Sequence, residues 1–218
     1  MRWRRTGFID EEQVGKLPGW LSPIVDATRT VTTDDLTRFA PTDGTGRGAA
    51  VLVLFGDGPD VLLIERARGD VAHSGQPAFP GGAREDYDDD EFATALREAH
   101  EETGVQPDGV QVFGALPDLW VPVSDYVVSP VLAYWRDPSI VGVQDVTEVS
   151  RVERIAIDEL VHPDNRCTVL HPSGYRGPGF TARDMLIWGF TAGVLSGIFD
   201  AAGWTRPWDD QRVVPVEL

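Results

Sequence analysis

The stretch FPGGAREDYDDDEFATALREAHEETGV, residues 79–105, decides the fold of this chain. It begins with a glycine pair, continues through an acidic run and ends in a helical pattern that carries three glutamates. Glu98 and Glu102 are four residues apart, and Glu101 lies three after Glu98, so a helix presents all three on one face. Another side of the same helix is apolar, at Phe92, Leu96 and Ala99. The sequence therefore predicts an amphipathic helix with an acidic face.

A divalent cation is the natural partner of this acidic face. Three like charges repel one another, and Mg²⁺ or Mn²⁺ binds carboxylate oxygens while keeping water and substrate phosphate as its other ligands. Taken alone, an acidic helix face is usually a solvated surface. The flanks favour the metal site: Pro80-Gly81-Gly82 allows a tight turn and a close backbone approach to a ligand. Thr103-Gly104 predicts the helix end, with glycine as its left-handed cap.

The same stretch resembles the signature of the Nudix hydrolase family. That signature runs Gly, five residues, Glu, seven residues, then Arg-Glu, an apolar residue, any residue, Glu-Glu, any residue, Gly and an apolar residue. Gly82 begins the match, and residues 97–105 complete it without a mismatch. Between them Asp88 replaces the first glutamate, and eight residues instead of seven separate it from Arg97. The extra residue falls in the loop, so the spacing of the helix carboxylates is unchanged.

The resemblance implies a fold and a set of roles. It implies an α/β/α sandwich around a mixed β-sheet, and a hydrolase that uses Mg²⁺ or Mn²⁺ to cleave a pyrophosphate bond. Glu98 and Glu102 are then direct metal ligands, Glu101 is an auxiliary ligand or base, and the Gly81 carbonyl is a further ligand. Arg97 belongs to the catalytic residues as an orienting ion-pair partner and not as a catalyst.

Residues upstream resemble the coenzyme A pyrophosphatase subgroup of that family. Its extra signature is Leu-Leu-x-x-Arg, a second arginine, a glycine four residues on, and Phe-Pro-Gly-Gly; Arg66, Gly75 and residues 79–82 match it. Val71 stands where the second arginine is expected, and Arg68 is the nearby candidate to replace it. The resemblance implies cleavage of coenzyme A or its thioesters to 4′-phosphopantetheine and adenosine 3′,5′-bisphosphate.

Several other residues are candidates for substrate binding or catalysis. Glu148 is either the general base or a simple carboxylate at a strand edge. We expect His73, with Gln76 in the same polar loop, to shape the substrate site, and His100 to be a surface residue of the helix. Trp120 either stacks on a nucleobase or is a partly buried structural residue.

Two further functions remain open at this stage. One is hydrolysis of another nucleoside diphosphate derivative, such as ADP-ribose or a dinucleotide. The other is a ligand sensor of the same fold without turnover. The intact set of carboxylates argues against the sensor, since a sensor need not keep metal ligands.

Composition bounds the remaining possibilities. The chain has 218 residues, and we expect residues 1–46 to form an N-terminal extension and residues 47–218 the hydrolase domain. A formal net charge of −16 argues against nonspecific binding of nucleic acid or of an anionic membrane. The single Cys167 allows no internal disulfide and suits a reducing compartment. We expect a soluble, cytoplasmic protein with a small-molecule substrate, and the sequence leaves a homodimer open.

Hydrophobic patterns predict the remaining elements. Strands are predicted at residues 48–55, 61–65, 110–116, 126–135 and 147–157, with two more between residues 168 and 180. Gly56-Asp57-Gly58 predicts a hairpin, residues 41–46 a linker, and residues 158–161 a short helix. A closing helix is predicted at residues 182–199, and the acidic run at residues 86–91 is expected to be a solvated loop and helix start.

Overall fold

The computed structural model describes residue 4 and residues 6–37, 46–67 and 75–216. The helices of these ranges are α1 (Glu11–Val14), α2 (Ser22–Thr30), α3 (Thr33–Leu36), α4 (Glu91–Thr103), α5 (Ile157–Leu160) and α6 (Gly189–Ala201). The strands are β1 (Phe8–Ile9), β2 (Arg47–Gly56), β3 (Asp60–Arg66), β4 (Pro77–Ala78), β5 (Gly81–Ala83), β6 (Val110–Ala115), β7 (Leu119–Val121), β8 (Tyr126–Trp135), β9 (Val149–Ala156), β10 (Arg166–Leu170), β11 (Arg176–Ala182), β12 (Met185–Ile187) and β13 (Val213–Pro215). No helix in the described ranges is long and apolar enough to cross a membrane.

The larger sheet mixes parallel and antiparallel pairs. Its strand order is β1-β6-β8-β2-β3-β4, while β5 pairs with β2, β7 with β8 and β9 with β3. The pair β2–β8 is parallel from Arg47↔Tyr126 to Phe55↔Tyr134, and the other pairs are antiparallel. Because β8 occupies one edge of β2, β5 and β3 both pair with the opposite edge, β5 at residues 49–51 and β3 at residues 55–56.

Alternate side chains of β2 face two helix layers. Leu52 and Leu54 pack in one buried cluster with Ala95 and Ala99 of α4. Val53 and Phe55 pack in another cluster that contains residues of α2 and α6. This period of two is the ordinary geometry of a strand buried on both faces. Helices on both sides of a mixed sheet confirm the predicted α/β/α architecture.

Most predicted strands are confirmed within one or two residues. β2, β3, β6, β8 and β9 lie where the apolar runs predict them, and Gly56-Asp57-Gly58 leads from β2 into β3. Residues 157–160 form the predicted short helix α5. The predicted linker lies outside the described residues except for Gly46.

The N-terminal residues contribute to the core of the protein. Leu21, Ile24 and Leu36 belong to the same buried cluster as Phe55 of β2. Strand β1 extends the larger sheet by pairing with β6. Whatever the boundary of the predicted extension, residues 6–37 therefore pack against the sheet through buried apolar side chains.

A second sheet, in the order β12-β11-β10-β13, corrects the prediction of a closing helix at residues 182–199. Arg183 and Asp184 have φ of 51° and 58°, which builds a tight turn between β11 and β12. Met185 and Ile187 are buried two residues apart, which is the period of a strand, so helix α6 begins only at Gly189. The predicted pair of strands around residues 172–174 is confirmed as β10 and β11.

Candidate active site

Helix α4 forms because its two ends and one side are each stabilised by nearby residues. At its start the Asp90 carboxylate accepts a hydrogen bond from the Ala93 amide at 2.8 Å, as an N-cap residue does. At its end Gly104 adopts φ of 79° and donates its amide to the His100 carbonyl, which confirms the predicted left-handed cap. Ala95 and Ala99 are fully buried against the sheet. Glu102, three residues after Ala99, lies on the same buried side, so the helix brings this carboxylate to the sheet.

The glycine pair forms strand β5, so the prediction of a tight turn at Pro80-Gly81-Gly82 is wrong. Gly81 has φ of 155°, and a Cβ atom there would lie 2.6 Å from the Cα atom of Val51. A Cβ atom on Gly82 would lie 2.6 Å from the Oε2 atom of Glu98. Two glycines are needed here because one must lie against β2 and the other must leave room for a helix carboxylate.

Glu102 is the most buried carboxylate of α4. Its side chain is 2% exposed, and its Oε2 atom accepts a hydrogen bond from the Gly81 amide at 2.9 Å. Burial raises the pKa of Glu102 to about 7, against the lowering effects of Arg66 and of the Gly81 amide. Glu98 and Glu148 raise this pKa further. The positive charge near Glu102 is thus too small to offset its burial and its acidic neighbours.

Glu98 lies one helical turn before Glu102. Its carboxylate accepts a hydrogen bond from the Nη1 atom of Arg97 at 2.8 Å. Burial raises the pKa of Glu98 despite this contact, and the charges of Glu101 and Glu148 act in the same direction. Glu98 and Glu102 are therefore two acidic groups of one desolvated cluster.

Arg97 is bound mainly by Asp88. Its Nε and Nη2 atoms donate to the two Asp88 oxygens at 3.0 and 2.9 Å, a bidentate ion pair. Asp88 also accepts from the Glu85 amide and the Thr94 hydroxyl, and its side chain is 3% exposed. The hydrogen bonds from Arg97 hold the pKa of Asp88 far below its usual range. The expectation that residues 86–91 are all solvated is thus wrong for Asp88, because Arg97 and Thr94 fold over it.

Two residues of α4 are more exposed. The Glu101 side chain is 55% exposed and pairs with Arg97 at 3.0 Å. His100 is exposed, as expected, and one ring nitrogen lies 2.9 Å from the Val105 carbonyl. Glu101 therefore borders the buried pair without joining it.

Arg66 brings positive charge to the site from strand β3. Its Nη2 atom donates to the Gly81 carbonyl at 3.2 Å, on the same residue whose amide binds Glu102. The backbone of Gln76 joins the same corner, because its carbonyl accepts from the Arg66 amide at 3.1 Å. Arg68 and His73 lie outside the described residues, as does Val71.

The charge of Glu148 acts on the acidic pair from outside helix α4. It lies in an exposed turn just before β9, and its carbonyl accepts from the Ala67 amide at the end of β3 at 2.8 Å. Although burial is the main reason why the pKa values of Glu98 and Glu102 are raised, the charge of Glu148 adds to both. The charges of Glu148 and Arg66 thus both act on Glu102, in opposite directions.

Trp120 lies on a different part of the sheet. Its indole N–H donates to the Asp125 carboxylate at 3.1 Å, and its strand β7 pairs with β8. Strands β8 and β2 separate β7 from β5, and three strand spacings amount to roughly 14 Å. The side chain is half-buried, so the contact with Asp125 gives it a structural partner.

A divalent cation fits the residues of this cluster. The donors are hard carboxylate oxygens, and the missing Cβ atom of Gly82 allows the Glu98 carboxylate to lie against strand β5. Within the described residues no three acidic, histidine or cysteine side chains converge as a ready metal cluster. Glu98 and Glu102 instead offer a pair of carboxylates. Mg²⁺ is commonly held by one or two carboxylates together with water and substrate phosphate.

The fold and the site define a class of protein: a mixed α/β hydrolase with an acidic helix packed on a diglycine strand. Residues 44–169 match the NUDIX domain family. This match spans more than half of the chain, and the chain belongs to the Nudix hydrolase family. Members of the family are hydrolases that generally use divalent metal ions and act on small nucleoside diphosphate derivatives. The chain is an enzyme of this kind.

Relatives and solved structures agree with this membership. The chain is 34% identical over 158 residues to the uncharacterized Nudix hydrolase NudL of Enterobacter sp. (strain 638), covering 68% of this chain and 79% of that protein. It is 35% identical over the same length and the same shares to NudL of Escherichia coli (strain K12). A MutT/nudix family protein from Enterococcus faecalis superimposes with a TM-score of 0.50 at 14% identity, over 84% of this chain and 74% of that one. This last likeness concerns the fold.

Sequence reasoning missed two features of the site. The first is the role of Asp88 as the partner of Arg97, for which the only signal is an acid in the loop ahead of an Arg-Glu pair. The second is the loop of residues 138–148, which wraps the end of α4 through hydrogen bonds to Thr103 and Glu102. Its signal is Asp145-Val146-Thr147, a pattern typical of a turn in which an aspartate binds the backbone two residues on.

Proposed function

We propose that this enzyme hydrolyses the pyrophosphate of coenzyme A or its thioesters, giving 4′-phosphopantetheine and adenosine 3′,5′-bisphosphate. The observation that carries the proposal is the position of Arg66 beside the acidic pair. Arg66 is the first arginine of the subgroup pattern, and its guanidinium lies 3.2 Å from the Gly81 carbonyl, next to Glu102. A guanidinium there can bind a substrate phosphate while carboxylates of α4 hold a cation.

Glu98 and Glu102 are the proposed metal ligands, with Glu101 as an auxiliary ligand and the Gly81 carbonyl as a further one. A bound Mg²⁺ or Mn²⁺ supplies neutralising charge for the pyrophosphate oxygens and lowers the pKa of water. Support for the first two comes from their burial and from their position against the glycines of strand β5. Glu101, which is exposed and paired with Arg97, can reach a bound substrate only by leaving that ion pair.

Arg97 and Glu148 have complementary proposed roles. Arg97 joins Asp88 to Glu98 and so keeps the Glu98 carboxylate in place. Glu148 is the proposed general base, which takes a proton from the attacking water. As the water oxygen bonds to one phosphorus atom, the bridging P–O bond breaks and the leaving phosphate keeps the electron pair. The effect of the Glu148 charge on the pKa of both helix glutamates supports this role.

The substrate is proposed to lie along the corner formed by β3 and the loop that follows it. Arg66 contributes there directly, and Gln76, Arg68 and His73 are the proposed further contacts. Trp120 is the remaining candidate for stacking on the nucleobase. Its distance from β5 and its hydrogen bond to Asp125 do not favour that role.

A substrate panel tests the proposal. Coenzyme A, acetyl-coenzyme A, ADP-ribose and a diadenosine polyphosphate are each incubated with Mg²⁺ or Mn²⁺, and products are separated by chromatography. We expect kcat/KM for coenzyme A to exceed that for ADP-ribose by at least about tenfold, or about 1.4 kcal/mol. The Glu102→Gln variant is the matched control for contaminating activity. Preferential cleavage of ADP-ribose or of the dinucleotide would overturn the proposal, and binding without products would indicate a sensor.

Position 71 sharpens the same test. Because Val71 replaces the second arginine of the subgroup pattern, we expect a weak preference for coenzyme A over its 3′-dephospho form. Val71→Arg should raise kcat/KM for coenzyme A more than for dephospho-coenzyme A, by about tenfold if the new arginine binds the 3′-phosphate. Equal changes for both substrates would show that this position does not contact that phosphate. Arg68→Ala, measured in parallel, tests whether Arg68 already makes the contact.

A further inference from the structure

The loop of residues 138–148, here called the capping loop, joins the end of strand β8 to strand β9. Its backbone binds the last turn of helix α4. The Gly142 amide donates to the Thr103 carbonyl at 3.0 Å, and the Gln144 amide donates to the Glu102 carbonyl at 3.3 Å. These carbonyls belong to the group that a helix end leaves without intrahelical partners. The capping loop is thus attached to the residue that carries the most buried carboxylate of the site.

Gly104 permits this attachment. With φ of 79°, the residue turns the chain away from the helix, and a Cβ atom there would lie 2.9 Å from the Nε2 atom of Gln144. The Gln144 side chain itself donates to the Gly142 carbonyl at 3.0 Å and so closes the loop on itself. The approach of the loop to α4 therefore depends on a position that only glycine occupies without strain.

The end of the capping loop is a turn built on Asp145. One oxygen of its carboxylate accepts from both the amide and the hydroxyl of Thr147, at 2.7 and 2.6 Å. The Asp145 carbonyl accepts from the amides of Glu148 and Val149, at 3.2 and 2.9 Å. The side chain and backbone of Asp145 thus bind Thr147, Glu148 and Val149, which is the behaviour of an aspartate turn.

Glu148 is the last residue of this turn. Its carbonyl is bound by the Ala67 amide, and the next residue, Val149, is fully buried and pairs with Arg66. Within the described residues the Glu148 carboxylate accepts no hydrogen bond and is exposed. The position of Glu148 is therefore set by the backbone of the turn and not by contacts of its own side chain.

We propose that Asp145 is a positioning residue that aims Glu148 at the Glu98–Glu102 pair, and that the capping loop keeps this aim in register with helix α4. This inference rests on the proposed role of Glu148 as general base. In this proposal Asp145 acts through the turn that its bonds to Thr147 hold, and not by touching the substrate. A misplacement of a reacting group by about 1 Å can cost a hundredfold in rate, so the turn can matter without touching the substrate.

The test is a double-mutant cycle between the two positions, with coenzyme A and ADP-ribose as parallel substrates at saturating Mg²⁺. Asp145→Ala removes the acceptor of both Thr147 bonds, and we expect kcat to fall by about ten- to a hundredfold with KM little changed. Asp145→Asn keeps a side-chain oxygen acceptor and should recover most of this loss. In the Glu148→Gln background, Asp145→Ala should lower kcat by less than about twofold, because coupled residues are not additive.

Two further variants complete the design. Asp209→Ala is the matched control, since Asp209 accepts from the Gln211 amide at 3.0 Å in a turn of the same kind near the second sheet; its kcat should equal that of wild type. Thr147→Val removes one of the two bonds to Asp145 and keeps the backbone, so it gives a milder variant if Asp145→Ala fails to fold. It should lower kcat by less than Asp145→Ala does.

Each failure has a distinct meaning. Wild-type kcat for Glu148→Gln would reject the base and with it this inference, while leaving the hydrolase itself untouched. Equal losses from Asp145→Ala in both backgrounds would show that the turn acts on α4 and not through Glu148. An Asp145→Asn variant as slow as Asp145→Ala would show that the carboxylate acts by its charge, and unchanged kcat in Asp145→Ala would reject a positioning role altogether.

Discussion

Arg97 and Arg166 are both largely buried, and the regions around them accommodate their charges in opposite ways. Arg97, in the acidic site, has an 18% exposed side chain and donates to three carboxylates, Asp88, Glu98 and Glu101. Arg166, on β10 of the second sheet, is 2% exposed and binds the Ser196 hydroxyl at 2.9 Å. Hydrogen bonds to Asp88 raise the pKa of Arg97, whereas burial lowers the pKa of Arg166.

Arg166 is held by aromatic rings in place of carboxylates. Its guanidinium lies 4.5 Å from the centre of the Phe180 ring and 4.9 Å from that of Trp208. Within the described residues its Nε and Nη1 atoms have no hydrogen-bond partner. Charge in the acidic site is thus part of a network of direct ion pairs, whereas Arg166 meets aromatic rings and reaches Asp200 only through the Ser196 hydroxyl. Substitutions in the two regions should therefore have different consequences.

The largest effect is expected where the acidic network would hold its cation. Glu102→Gln keeps the size of the side chain and an oxygen that can accept from the Gly81 amide, but it removes one charge of the carboxylate pair. We expect kcat to fall by at least about a hundredfold while the melting temperature is unchanged or higher, because a buried charge is lost. Steady-state kinetics at saturating Mg²⁺ and thermal unfolding measure both. Glu12→Gln, in the exposed helix α1, is the control, and near wild-type turnover of Glu102→Gln would reject the metal assignment.

How much of this network was predictable depends on the range of its contacts. Helix α4, its apolar side and its glycine cap follow from residues within one or two helical turns, and the chain pattern identifies them. The burial of Asp88 depends on Arg97, nine residues on, folding back across the loop, and periodicity carries no signal for that contact. The prediction of Glu98 and Glu102 as a pair needed only their spacing.

The second sheet was less predictable for the same reason. Strand β13 pairs in parallel with β10, more than forty residues earlier in the chain. Short strands such as β12 have too few residues to show an alternating pattern, so residues 185–187 were assigned to the helix that follows. Local propensity does not identify a short strand whose pairing partner lies far away in the sequence. The environment of Arg166 therefore becomes visible only in the folded structure.

Removing Arg97 should produce the next largest effect. Arg97→Met leaves the nearly inaccessible Asp88 carboxylate without its partner, and we expect the free energy of unfolding at pH 7 to fall by about 3–5 kcal/mol. Glu98 also loses the donor that holds it, so kcat should fall by about tenfold or more. Arg154→Met is the control, because Arg154 forms a similar pair with Asp60 near the hairpin between β2 and β3. Wild-type kcat in a folded Arg97→Met protein would show that the network does not position Glu98.

Asp88→Asn should have a smaller effect that depends on pH. The folded-state pKa of Asp88 is lowered by the hydrogen bonds from Arg97, so its stabilising contribution is present above its unfolded pKa of about 3.9 and disappears as pH falls below that value. We expect Asp88→Asn to cost about 1.5–3 kcal/mol of unfolding free energy at pH 7. The difference from wild type should shrink as pH is lowered from 4 toward 2. Denaturant titrations across this range measure it, with Asp60→Asn as the control, and a difference that stays constant with pH would contradict an ionic contribution.

The smallest effect is expected at Arg166. Arg166→Met keeps an unbranched chain between Phe180 and Trp208, and sulfur packs well against aromatic rings. The variant loses the cation–π contacts and the bond to Ser196, but it also removes two buried N–H groups without partners and the cost of burying their charge. These effects oppose each other, so we expect the unfolding free energy to change by less than about 1 kcal/mol, in contrast to Arg97→Met. The kcat value should stay within about twofold of wild type, because coupling between distant sites is usually small. A tenfold loss of kcat would show that the second sheet is coupled to the acidic site. A loss of stability as large as that of Arg97→Met would show that aromatic rings can replace carboxylates as partners of a buried guanidinium.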